Sequence, residues 1–175
     1  SKKCTKYYNK NCPLCHKLVR EKGKNKGNST ALSNRIMTQV ALAEKAKNPS
    51  YVIPNYKEKI KTKNHPLYVA KGSLQAHHII CSETVESERW KDYFDMCGYD
   101  INCKENGVML PNLPSLACQL AVPLHRSNHE DGEAVVNTKT VTYVRGVKLL
   151  LEEVEEQIRS NAFCYHPKEI KEEIE

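Results

Sequence analysis

No stretch of this 175-residue chain approaches the roughly 18 consecutive apolar residues that a membrane helix needs, so no membrane segment is expected. The opening Ser1-Lys2-Lys3-Cys4 has no apolar run behind it, so no signal peptide is legible; an initiator methionine is missing too. We therefore expect a piece of a longer chain or a processed product. Cysteine is too sparse for a disulfide-held scaffold, at eight residues in 175. Without a signal peptide these cysteines read as thiols or metal ligands rather than bridges. Acidic residues are scarce in the first 75 positions, three Asp+Glu against 17 Lys+Arg, a net of +14. Residues 76–175 reverse the balance, with 18 against 10, a net of −8. Such asymmetry suggests a basic face able to meet a polyanion, with the acidic end kept off it; a solvated lysine-rich surface is the plain alternative.

What remains is enough for one core. The hydrophobic fraction is 39% with a mean hydropathy of −0.64, and 27% of residues are charged, ordinary for a soluble globule. The length fits one domain with an appendage. Residues 1–17 are basic and hold three cysteines, and 21–30 read as a Gly/Asn/Lys-rich loop. Leu32, Ile36, Val40 and Ala43 recur at helical spacing, predicting a helix from Ser29 or Ser33 to about Lys47, stopped by Asn48-Pro49. Residues 48–73 are Pro- and Lys-rich and read as irregular, with a short helix near Tyr56–Lys63.

Leu74–Cys81 reads as a short strand. Ser82 is placed to cap a helix reaching about Cys97 and closed by Gly98. Asn106–Pro111 reads as a turn feeding an apolar strand. Pro123 suits the first position of a helix carrying His125 and His129. Val147, Leu150, Leu151, Val154 and Ile158 mark an amphipathic helix to about Ser160, and the rest reads as a charged tail.

Four of the seven histidines fall in two tight pairs, His77-His78 and His125-x-x-x-His129. On a helix, positions i and i+4 share a face, so two imidazoles there can converge on one ion. Adjacent strand residues point to opposite sides. One of His77 and His78 can then bind a metal while its neighbour serves as an acid or base. Unremarkable surface or core histidines are the alternative for either pair. Cys12-Pro13-Leu14-Cys15 has zinc-knuckle spacing, with Cys4 eight residues earlier, so Cys4, Cys12 and Cys15 are candidate ligands of a structural zinc; reduced thiols are the alternative. Cys97, Cys103, Cys118 and Cys164 read as buried or half-buried thiols.

The order of motifs is more specific than either pair. His-His is followed 28 residues on by Asn-Gly-x-x-Leu-Pro, then by Pro-Leu-His-x-x-x-His. The chain resembles the AHH branch of the HNH/endonuclease VII nucleases, the ββα-metal group. The matching stretches are Ala76-His77-His78-Ile79-Ile80, Gly98-Tyr99-Asp100-Ile101-Asn102, Asn106-Gly107-Val108-Met109-Leu110-Pro111 and Pro123-Leu124-His125-Arg126-Ser127-Asn128-His129. It departs from the family's habit at Cys81, where Pro is common, and at Glu130-Asp131-Gly132, where Pro-Ala-Tyr is common.

The resemblance implies an α+β, mainly helical fold. It covers about residues 74–160, where a small ββα-metal core is implied. Residues 1–73 carry no such resemblance and read as a basic, Cys-containing helical and irregular segment packed on the core, and 161–175 as a charged tail. The resemblance implies one divalent ion, Mg²⁺ or a transition metal such as Zn²⁺, Ni²⁺ or Mn²⁺, bound by His77, His125 and His129. It implies that His78 is the general base, and that Asn106 orients the loop holding His78 or touches the metal; a plain Asn-Gly turn is the alternative. The activity implied is hydrolysis of DNA phosphodiester bonds. Arg126, Lys22, Lys24 and Lys26 are then candidate phosphate contacts; an ordinary surface arginine, and a basic half that faces away from DNA or meets only a protein partner, are the alternatives. The context implied is the toxic C-terminal module of a secreted bacterial effector, delivered into a target cell's cytoplasm and blocked by a cognate immunity protein. A phage, mobile-element or restriction nuclease is one rival. A non-catalytic, zinc-structured nucleic-acid-binding module is another, and it leaves His78 without a role.

Overall fold

The computed structural model describes residues 23–53, 63, 65–69, 73–125, 133–160 and 167–175. Among them the fold is α+β, with five helices and two small antiparallel sheets. They group into two compact units. One takes the described residues within 28–79 and 102–127; the other takes those up to 27, those within 80–101 and those from 133 onward.

The first unit is built on α1 (Ser29–Lys47). Asn28 is extended and its side chain accepts from the Ala31 N–H, satisfying one of the orphan donors of the first turn. Lys45 and Lys47 in the last turn suit the negative end of the helix dipole. The buried side is Leu32, Met37 and Ala41, while Ala43, expected on the apolar stripe, is exposed. Strands β1 (Leu74–His78) and β2 (Gly107–Pro111) pair antiparallel, with Ala76 opposite Met109, His77 opposite Val108 and His78 opposite Gly107. Helix α1 packs on both strands. At Gly107 a Cβ would sit 2.6 Å from Leu32 Cδ1 and 2.7 Å from Ile36 Cδ1, so any larger residue would have to push those side chains aside.

Past β2, Pro114 opens α3 (Pro114–Leu120), where its missing N–H is no loss. Ala121 ends the helix in the left-handed region, φ 51°, and Val122 N–H returns to the Ala117 carbonyl, as in a Schellman cap. The chain thereby turns back on itself. Pro123, Leu124 and His125 form no helix, which corrects the expectation of one starting at Pro123. His125 N–H instead donates to the Pro111 carbonyl at 2.8 Å, pinning the segment to the end of β2.

The second unit has an aromatic core. Ser82–Thr84 makes one 3₁₀ turn, and α2 (Glu88–Cys97) begins only after Ser87 takes the cap, its Oγ accepting from Trp90 N–H. The helix expected from Ser82 is therefore split in two. Gly98 closes α2 at φ 65° as expected. Trp90, Tyr93, Phe94 and Tyr99 are buried together, with the Phe94 and Tyr99 rings 4.8 Å apart. A hairpin absent from the sequence reading, β3 (Glu133–Val136) and β4 (Lys139–Thr142), turns through Asn137 and Thr138 at φ 49° and 68°. It leads into α4 (Tyr143–Ser160), which buries Gly146, Leu151 and Ile158. Residues expected as a charged tail form α5 (Pro167–Ile174), and Ile170 and Ile174 are buried. No helix among the described residues is long and apolar enough to cross a membrane.

Candidate active site

Side chains alternate along β1. His78 shares a face with buried Ala76, and His77 shares the other with exposed Gln75. Both histidines are half-buried, and they meet different partners. The His77 ring lies against that of His125, with centroids 5.5 Å apart and planes at 82°. His78 Nε2 lies 3.0 Å from Asn102 Oδ1. The return loop after α3 brings His125 to this place, because its backbone is tied to Pro111.

Two imidazoles bound to one tetrahedral ion at about 2.0–2.1 Å have ring centroids about 5 Å apart. The His77–His125 spacing fits that requirement, and neutral imidazoles suit a transition metal or zinc. Among the described residues no group of three or more His, Cys, Asp or Glu gathers around a common point. His129, expected as the third ligand, lies outside the described residues, as do Arg126, Lys22, Cys4, Cys12 and Cys15.

Asn106 ends a 3₁₀ turn (Lys104–Asn106) and is 3% exposed. Its carbonyl accepts from Ile79 N–H at 3.0 Å, carrying the β1–β2 pairing one step past His78. The residue therefore holds the backbone that leaves His78.

Asn102 was not singled out in the sequence. It is 4% exposed, and its Oδ1 accepts from Asn28 N–H as well as facing His78. The available signal was its place in the Gly98–Asn102 stretch, 24 residues beyond His78, but nothing local predicts which side chain it meets.

Lys24 and Lys26 are described and exposed. Lys24 Nζ lies 3.5 Å from an Asp100 carboxylate oxygen, so its ammonium already has an anionic neighbour. Cys81 and Cys97 are buried thiols and Cys103 is half-buried, but Cys118 is exposed, against expectation.

A family model matches residues 56–174. It is that of AHH, described as a nuclease family of the HNH/ENDO VII superfamily with conserved AHH, which here is Ala76-His77-His78. The match is wider than the 74–160 core read from the motifs. No curated protein and no solved structure matches the chain.

Proposed function

The chain belongs to the AHH nuclease family of the HNH/ENDO VII superfamily, and from that premise we propose that it cuts DNA using a divalent ion held by His77, His125 and His129, with His78 as general base. It is an endonuclease hydrolysing phosphodiester bonds. The observation that carries the finer reading is the split within the His-His pair, His77 against a second imidazole and His78 against an amide. One histidine is thus set for binding and its neighbour for proton transfer.

Neutral imidazole takes a proton near neutral pH. In this reading His78 accepts the proton of the attacking water as its oxygen bonds to phosphorus. The P–O3′ bond breaks with its electron pair going to the 3′ oxygen. A divalent ion at the imidazoles supplies polarisation of the phosphate and support for that leaving oxygen. Asn106 keeps the backbone beyond His78 in register. Lys22, Lys24, Lys26 and Arg126 contribute phosphate contacts, with Asp100 already beside the Lys24 ammonium.

In its wider setting the chain is the toxic module of a secreted antibacterial effector, active in a target cell's cytoplasm and neutralised by an immunity protein. The net +14 over residues 1–75 supports DNA as substrate and an acidic surface on the immunity protein. Nicking of supercoiled plasmid is the test. Open circles are expected with a divalent metal, none after EDTA, and recovery when metal is returned. Undiminished nicking in excess EDTA contradicts the proposal.

A further inference from the structure

Asn102 holds more than the fold. A backbone N–H, that of Asn28, donates to one of its amide atoms, and an N–H can donate only to an oxygen, so that atom is Oδ1. The same Oδ1 lies 3.0 Å from His78 Nε2. An amide oxygen accepts and never donates, so the hydrogen between them belongs to Nε2. A neutral imidazole carries one hydrogen, and with it on Nε2 the basic lone pair is on Nδ1. Asn102 is itself held: it is 4% exposed, and Asn28, which binds it, caps α1 through its own side chain. The end of a nineteen-residue helix thus fixes the amide, and the amide meets the histidine.

We infer that Asn102 is a positioning residue. Its Oδ1 receives the His78 Nε2–H, holds the ring in the Nε2–H form and leaves Nδ1 as the atom that takes the proton from the attacking water. This rests on the reading of His78 as the base. The water loses one proton, Nδ1 gains it, and the resulting imidazolium keeps its Nε2–H on Asn102. The positive charge then strengthens that bond, because hydrogen bonds from charged donors are the stronger ones.

The test separates the two readings. The ring nitrogens of His78 are followed by ¹⁵N NMR in the full, metal-free chain at mildly alkaline pH, in the wild type, Asn102→Leu and Asn102→Asp. Cleavage is measured in parallel with metal, together with His78→Ala. The wild type is expected in the Nε2–H form. Asn102→Leu is expected to show a mixture of forms and a kcat lower by about 10–10²-fold, with KM within about twofold. Asn102→Asp retains an acceptor for both donors, so it is expected to keep the Nε2–H form and a kcat within about tenfold of wild type. An Nδ1–H ring in the wild type overturns the inference, and this measurement stands even if Asn102→Leu fails to fold. Wild-type nitrogen shifts and kcat in a folded Asn102→Leu also overturn it. Full cleavage by His78→Ala sinks the base assignment and with it the role of Nδ1, while the nitrogen shifts still decide whether Asn102 fixes the ring.

Discussion

His77 and His78 differ by one position and by everything around them. Strand alternation sends them to opposite faces, and the surroundings of each face supply the partner, His125 for one and Asn102 for the other. The alternation was legible in the sequence, and it leaves room for the division of labour proposed above. The partner Asn102 was not, because a side-chain contact across 24 residues leaves no local pattern. Cysteines show the same limit. Cys97 and Cys118 look alike as letters, yet burial pushes the Cys97 thiol up to about 11 and raises Cys81 as well, while Cys118 is exposed. The thiolate is the reactive form, and buried thiols with raised values are inert. Brief iodoacetamide treatment of the native protein at neutral pH, read by peptide mass mapping, is therefore expected to label Cys118 well before Cys81 or Cys97. Equal labelling of Cys97 and Cys118 contradicts the packing of α2.

At the scale of elements, the long helices were legible and the short pieces were not. Helices α1 and α4 each carry several apolar residues at 3.6-residue spacing, and α1 meets a clear stop at Asn48-Pro49. Ser82 and Ser87 both read as caps for α2; in the structure the Ser82 hydroxyl accepts from Gly27 N–H and Ser87 takes the cap. The β3–β4 turn lacks the Asn-Gly signal, since Thr138 takes the second left-handed position. In α5 the only cue was Ile170 and Ile174, four apart among charges. The return loop to His125 depends on a left-handed Ala121, a conformation no sequence rule assigns to alanine. Gly107 on α1 is a tight seam between strand and helix. Leu32 is fully buried there, so Gly107→Val should cost about 1–3 kcal/mol by overpacking as the Leu32 and Ile36 side chains shift to make room. Urea unfolding measures it; an unchanged midpoint would mean that strand and helix are not this close.

Across the whole chain, every described histidine and asparagine of the candidate site comes from one of the two units: His77, His78, Asn102, Asn106 and His125. The family match over residues 56–174 takes in both units, so the resemblance seen in the 74–160 motifs extends into α5. Charge asymmetry marked the first half as basic, but charge alone does not say which lysines are available, and Lys24 turned out to face Asp100.

Whether neighbouring histidines do different work is decided by plasmid-nicking rate against metal concentration for the wild type, His77→Ala and His78→Ala. If His77 binds the ion, His77→Ala needs more metal to reach its plateau. If His78 is the base, His78→Ala saturates at the wild-type metal concentration, but its plateau lies about 10²–10⁴-fold lower. A His78→Ala curve that matches wild type in plateau, or one that differs only in the metal it requires, contradicts the account.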